Sequence, residues 1–396
     1  YKFQIEPNGG QIRAMRRFAG NARKVWNLAL DRQQTNFAAG ESFITAFGMN
    51  YWLPAWKNEY PFLRDSPAQT LQQVMINLER GYKNFFEKRA DFPRFRKKGR
   101  NDSFRFPQGF KLDQGNSRLF LPKLGWLRYR NSRKILGTAK NITVSASSGK
   151  WFVSIQTQRE VEQPVHPATS IVGIDVGITR FATLSTGSHI EPRNSFRRHQ
   201  LRLARYQRAM SHKQKFSRNW KKAKVRVQKM HAHIANARRD FLHKASTNIS
   251  KNHAMIVIED LQVRNMSKSA AGTVEAPGRN VQAKSGLNKS ILDQGWGEFR
   301  RQLEYKQAWR GGWVIAVSPQ NTSRTCPACG HVSADNRLTQ ARFMCVECEY
   351  ENQADLVGAI NILAAGHAVL ACGGTAQSGR PMKQEPAEAT QVAHAA

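Results

Sequence analysis

The chain has 396 residues, 40% of them hydrophobic and 23% charged, with a mean hydropathy of −0.58. That length corresponds to roughly two to three domains, and the apolar share excludes wholesale disorder. Lys and Arg number 62 against 28 acids, a formal net charge of +34; a small-metabolite enzyme has no use for that imbalance, and a polyanion must neutralise it.

The N-terminus begins at Tyr1 without Met, so a few residues are expected to precede it, and it carries no apolar signal region. Lys2–Glu6 alternates as a first strand. After Pro7-Asn8-Gly9-Gly10 the pattern turns helical, with Met15, Phe18, Ala22, Trp26 and Leu30 at helical spacing. Two further helical runs are expected around Ala68–Ala90, so the block is mostly helical, and it closes on the basic aromatic stretch Phe92–Arg100. From Ser103 to Arg159 short strands are expected at Phe104–Phe106, Ser117–Leu121, Gly125–Tyr129, Asn141–Ser145 and Lys150–Ile155, punctuated by Gly, Pro and Asn. They suggest a small antiparallel barrel. Val161–Thr169, with Pro164 and Pro167, reads as a linker.

Ser170–Ile178 is an apolar run interrupted by Gly173, Asp175 and Gly177; Phe181–Ser185 is a second strand, and His189-Ile190 begins a third. In the basic helical region that follows, Trp220, Val227, Ile234 and Phe241 recur every seven residues, as in a helix packed on another helix. His253–Ile258 is a buried-type strand running into Glu259-Asp260. Ser267–Lys289 is expected to be mobile, Ile291–Arg310 to be one amphipathic helix, Trp313–Val317 a strand, and Asp355–His367 a helix. The longest nearly apolar stretch, Ala359–Cys372, is shorter than the roughly 20 residues a membrane span needs. The Gly/Pro/Gln/Ala-rich residues from Gly373 onward are expected to be a disordered tail.

Cys326-Pro327-Ala328-Cys329 and Cys345-Val346-Glu347-Cys348 bracket 15 residues. Two thiolates on each of two tight turns complete a tetrahedral Zn²⁺ site, and with four sulfurs no position stays open for water, so the role is structural. His331 is not needed as a ligand, and Cys372 is expected to be an inert thiol. Acids are scarce, which makes three of them conspicuous: Asp175 in an apolar strand, Glu259 ending another, and Asp355 opening a helix. A carboxylate within a buried strand is costly unless something binds it. Three from distant segments can converge on divalent ions for phosphodiester hydrolysis, and hard oxygen donors suit Mg²⁺ or Mn²⁺. Singly, Asp175 could end a strand beside Gly177 and Asp355 could cap a helix. Periodicity leaves Glu259 and Asp260 as alternatives. Arg197–Lys244 is dense in Lys and Arg with Asp240 its only acid, which suits phosphate contacts that position a polynucleotide without reading its sequence. Lys221, Lys222 and Lys224 there, with Arg94, Arg96, Lys97 and Lys98, are the candidate nucleic-acid contacts.

Together these motifs resemble the TnpB family, RNA-guided nucleases of bacterial insertion sequences that are often called OrfB-type transposases and are related to type V CRISPR effectors. The matching stretches span nearly the whole chain in order: Tyr82–Phe86, Phe92–Lys98, Leu121–Trp126, Gly173–Gly177, Ile258–Leu261, Asp293–Trp296, Thr322-Ser323 and Ala359–Ile362. The final acid motif departs from the family in Leu356-Val357-Gly358, where more polar residues are common. The resemblance implies an α+β multidomain fold: a β-barrel wedge domain (1–10 and 103–165) with an inserted helical recognition domain (11–102), then a RuvC-like nuclease domain of RNase H fold (170–318 and 350–372) with an inserted zinc ribbon (319–349). It puts the catalytic acids at Asp175, Glu259 and Asp355, preferring Glu259 to Asp260, and the zinc ligands at Cys326, Cys329, Cys345 and Cys348. It further implies a guide RNA, double-stranded target DNA cut beside a short adjacent motif, no membrane, a monomer on RNA, and a cytoplasmic, nucleoid-associated bacterial protein. Rival readings are a nuclease-dead RNA-guided regulator, which the three retained acids oppose, a zinc-ribbon DNA-binding protein without a guide, and a nuclease that acts on nucleic-acid structure alone.

Overall fold

The computed structural model describes residues 1–371; Cys372 and the expected tail 373–396 lie outside the described residues. The chain divides into two compact units, Tyr1–Val161 and the part beginning at Glu162.

The first unit runs β1 (Lys2–Glu6), α1 (Gly9–Ala38), α2 (Ala46–Asn50), α3 (Trp52–Glu59), α4 (Ala68–Phe86), then β2 (Ser103–Phe106), β3 (Lys111–Asp113), β4 (Arg118–Leu121), β5 (Gly125–Tyr129), β6 (Thr138–Ser147) and β7 (Lys150–Gln158). Asn8 starts α1 by a capping box. Its side chain accepts from Gln11 N at 2.9 Å while the Gln11 side chain accepts from Asn8 N at 3.0 Å. Gln11 also donates to the carbonyls of Leu124 and Trp126, tying the helix start to the β4–β5 hairpin. The strands form one antiparallel sheet in the order β2-β6-β7-β1-β5-β4-β3. The sequence reading expects closure into a barrel; the hydrogen-bonded order leaves β2 and β3 as the two edges. Met15, Phe18, Ala22, Val25 and Leu30 of α1 are buried in one core with Phe3, Ile5, Phe104, Val144 and Val153 of the sheet, and Phe18 meets Phe104 edge-on at 5.6 Å. The periodicity read for α1 is therefore its buried face.

The second unit runs β8 (Ile171–Asp175), β9 (Ala182–Leu184), β10 (His189–Ile190), α5 (Ser195–Ser211), α6 (Arg218–Asn252), β11 (Met255–Glu259), α7 (Val263–Met266), α8 (Val281–Gln294), α9 (Trp296–Ala308), β12 (Trp313–Val317), β13 (Arg342–Met344), β14 (Glu351–Gln353) and α10 (Ala354–Ala371). Its five-stranded sheet has the order β10-β9-β8-β11-β12, with β8, β11 and β12 parallel and β9 and β10 antiparallel. Two expectations are corrected here. Ser267–Lys289 is not all loop, because α8 occupies its second half. Nor is Ile291–Arg310 one helix: Gly295, at φ 75°, ends α8 and starts α9. A Cβ at Gly295 would crowd Leu242 and Arg238 at 3.2 and 3.3 Å, so the left-handed break also admits α6. The helical apolar pattern continues across the glycine, which hides the break.

The Asp293-Gln294-Gly295-Trp296 stretch acts as one joint. The buried Asp293 carboxylate accepts from the backbone N–H of Phe196 at 2.9 Å and of Arg197 at 3.3 Å, capping α5, whose own N-cap Asn194 makes no side-chain capping bond. By length and composition α10 could cross a membrane, with mean hydropathy 1.6. Here it lies against the sheet. A Cβ on Gly173 of β8 would fall on the Ala359 carbonyl oxygen, and one on Gly366 of α10 would fall on Val257 of β11. Glycine at these two points lets the helix approach the parallel strands without a gap.

Candidate active site and metal centre

Close approach of α10 decides the site. In parallel register Ile258 faces Ile174, so the next residues, Glu259 and Asp175, end neighbouring strands at their carboxyl edge, where open α/β sheets bind ligands. Asp355 arrives from the first turn of α10. Gly358, one turn on, is so near that a Cβ there would stand 3.1 Å from Asp175 Oδ2. All three carboxylates line one cleft of about 640 Å³, with Arg337, Thr322 and Trp296. Asp260, the alternative to Glu259, pairs instead with Arg300.

Burial is the main force on these groups. It pushes the Asp175 carboxyl up from 3.8 to about 7, helped by the charges of Glu259 and Asp355 and opposed by Arg337 and the Val176 amide. Glu259 is raised by burial too, against the Thr322 hydroxyl, which donates to its Oε1 at 2.6 Å, and against the Arg337 charge. Arg337 Nη2 lies 3.3 Å from Asp355 Oδ1. Arg337 and Thr322 both come from the segment between β12 and α10, and Asn361 of α10 fastens that segment by donating to the carbonyls of Thr322 and Thr325. The sequence reading missed Arg337. One arginine among 62 basic residues carries no signal until its neighbour is known. Thr322 and Asn361 stood in motifs already singled out, without a role.

Two half-buried carboxyls forced upward with one nearby guanidinium to offset them form a donor set that fits hard divalent cations. They are gathered less tightly than the sulfurs. Among the described residues, Cys326, Cys329, Cys345 and Cys348 are the only group of three or more His, Cys, Asp or Glu whose ligand atoms all lie within 4.8 Å of one another. Cys326 Sγ is 3.6 Å from Cys348 Sγ, and Cys329 Sγ is 3.6 Å from Cys345 Sγ. Tetrahedral zinc with bonds near 2.3 Å separates its sulfurs by about 3.8 Å, so the sulfurs fit that ion. The two turns are built alike. Cys326 N donates to His331 O and Gly330 N to Cys326 O; Cys345 N donates to Tyr350 O and Glu349 N to Cys345 O. Buried Asn336 joins them, donating to Arg324 O and His331 O and accepting from Val346 N.

The other candidates lie on two elements. Lys221, Lys222 and Lys224 are exposed on the first turns of α6. Arg94, Lys97 and Lys98 are exposed after α4, Arg94 with Asp91 at 3.4 Å. Arg96 is different: its guanidinium stacks 3.6 Å from the centre of the Trp26 ring, and burial brings it down to about 10.

Three family descriptions match parts of the chain: "Helix-turn-helix domain" over residues 1–42, "Probable transposase" over 142–270, and "Cas12f1-like, TNB domain" over 296–362. The first covers one strand and one long helix here. A protein of Escherichia coli K12 named "Putative RNA-guided DNA endonuclease InsQ" is 62% identical, over 99% of this chain and 98% of its own length. A "Putative RNA-guided DNA endonuclease" of Streptomyces pristinaespiralis is 35% identical over 98% and 96%. The "Cryo-EM structure of the Cas12f1-sgRNA-target DNA complex" shares the fold at 15% identity and a TM-score of 0.57, covering 88% of this chain and 81% of that one.

Proposed function

The chain belongs to the TnpB family, the OrfB proteins of IS605-type insertion sequences, and from that premise we propose that it is an RNA-guided DNA endonuclease encoded by a transposable element. Guide RNA and target DNA are its partners. Base pairing with the guide supplies sequence, while the protein supplies charge, shape and chemistry. The formal charge of +34 suits a chain that holds two polyanions at once. The observation that carries the catalytic reading is the convergence of Asp175, Glu259 and Asp355 on one cleft at the carboxyl edge of parallel strands.

In this reading Asp175, Glu259 and Asp355 would hold Mg²⁺ or Mn²⁺, which when bound supplies an activated water and neutralises charge on the scissile phosphate. Thr322 orients Glu259 and favours its ionised form against burial. Arg337 holds Asp355 in place and offers a positive charge to a phosphate in the cleft, and Trp296 forms an apolar wall. The mixed five-stranded sheet of the second unit supports a RuvC-like nuclease domain of RNase H fold at residues 170–318 and 350–372, with 319–349 as the zinc ribbon. Residues 11–102 form the helical recognition domain; 1–10 and 103–165 form the wedge. The four ribbon cysteines would hold Zn²⁺, and the ribbon so folded carries Arg337 to the acids. The protein acts as a monomer on RNA in the bacterial cytoplasm, at the nucleoid where its DNA lies.

Purifying the chain with its element's flanking sequence tests this. RNA should copurify, raise absorbance at 260 nm, and direct cleavage of DNA complementary to it. A preparation free of RNA that cuts as well without a guide would sink the proposal.

A further inference from the structure

The aromatic tip of the α5–α6 hairpin stands apart from the rest of the nuclease unit. Leu242, Ala245 and Ile249 of α6 belong to the core of the sheet, whereas Val227, Met230 and Ile234 pack on Leu203 of α5 in a separate small cluster. Trp220 lies 22 residues before Leu242, so at 1.5 Å per residue the tip is displaced about 33 Å along the helix from that core. At the tip the chain turns through residues 212–217. Phe216 there is 66% exposed and sits at φ 70°, a left-handed conformation that bulky residues rarely adopt. Its ring meets Trp220 at 5.5 Å, nearly edge-on. The Lys215 ammonium lies 5.4 Å from the Phe216 ring centre and that of Lys224 lies 5.1 Å from the Trp220 ring centre. From Arg205 to Arg226 inclusive there are nine Lys or Arg and no acid.

An exposed phenylalanine held in an unfavourable backbone state against a half-buried tryptophan serves no packing purpose that the sheet core requires. Rings set among lysines are the chemistry that binds a base by its face and the adjoining phosphates by charge. We propose that Phe216 and Trp220 stack on an exposed base of the guide RNA, unpaired or at a helix end, while Lys221, Lys222 and Lys224 hold the flanking phosphates. This rests on the RNA-guided reading above. Displacement of the tip from the sheet core favours RNA over the DNA being cut, because the scissile strand must lie in the acid-lined cleft while a large folded RNA can extend outward.

The test uses the full chain and the RNA that copurifies with it, resynthesised with a label. The double variant Phe216→Ala/Trp220→Ala should bind that RNA roughly tenfold more weakly or worse, with the slope of log affinity against log salt unchanged, because no charge is lost. Lys221→Gln/Lys222→Gln/Lys224→Gln should flatten the slope. Phe216→Trp should bind as well as wild type or better, and Phe216→Leu, apolar but without a π face, should bind more weakly. Thermal melting checks that each variant is folded. Equal affinity of the double variant, full affinity of the Leu variant, or loss seen only on a single-stranded DNA probe would overturn the assignment. If wild type binds no RNA, the RNA-guided reading fails as well; if it binds RNA and the tip variants bind equally, this inference alone fails.

Discussion

Replacing Asp175 by Asn should stabilise the protein while abolishing its cutting. The Asp175 carboxyl stands at about 7 in the folded chain against an ordinary 3.8, first because of burial and then because of Glu259 and Asp355. A group whose folded value is raised in this direction binds more protons folded than unfolded between pH 4 and 7, so its contribution to stability falls across that window as pH rises. At pH 8 the whole penalty is present. The shift sets a ceiling of about 4 kcal/mol. Asp175 keeps partial solvent contact, and halving the figure for screening leaves about 2 kcal/mol. For a unit of this size that is about 4–8 °C in melting temperature. Differential scanning calorimetry of wild type and Asp175→Asn, with zinc retained and no magnesium or manganese added, should show the variant melting higher at pH 8. The gap should narrow toward pH 5 and vanish near pH 4. Added Mg²⁺ should raise wild type more than the variant, because the cation supplies the compensation that Asn makes unnecessary. A variant that melts lower at pH 8, or a gap that widens on acidification, would refute the account of the acids as a repelling cluster.

Arg337→Ala should leave RNA binding intact and lower cleavage on the order of tenfold or more, since it removes the cation beside Asp355; single-turnover rates at saturating Mg²⁺ check this, and an unchanged rate would make the ion pair incidental. Cys345→Ser should lose the bound zinc by elemental analysis and reduce cleavage, because a small ribbon folds largely on metal-binding energy, with the first unit still melting cooperatively. Gly358→Ala should gain up to about 1 kcal/mol of helix propensity yet cut more slowly, since the new methyl would stand 3.1 Å from Asp175 Oδ2; a variant both more stable and fully active would show that the carboxylate gives way freely.

How much of this was legible depended on whether a residue's neighbours were local. β1, β5 and β12 match their sequence readings residue for residue because alternation and flanking turns lie within a few positions. α2 and α3 went unread, being short and set among aromatics whose burial only the tertiary fold decides. Asp175 and Glu259 stood out because a carboxylate in or ending an apolar strand is costly anywhere, and Asp355 as an acid opening an apolar helix in an acid-poor chain; their gathering in one cleft is the tertiary fact behind all three. The choice between Glu259 and Asp260 could not be made from alternation; it turns on Arg300, 40 residues on, which takes Asp260. Arg337 was invisible for the same reason, since its significance is a contact with Asp355. Gly173 read only as an interruption in an apolar run and Gly366 went unread; both turn out to be where α10 lies against the sheet.

The central claim is that Asp175, Glu259 and Asp355 cut DNA chosen by a bound RNA. The most direct measurement compares wild type and Asp175→Ala, each loaded with the same guide RNA, on one labelled duplex that carries the complementary sequence, with Mg²⁺ present. The account predicts equal binding of the duplex by both proteins, cleavage by wild type only, and no cleavage when the guide is replaced by an unrelated RNA. Cleavage by Asp175→Ala at the wild-type rate, or cleavage indifferent to the guide, would contradict it.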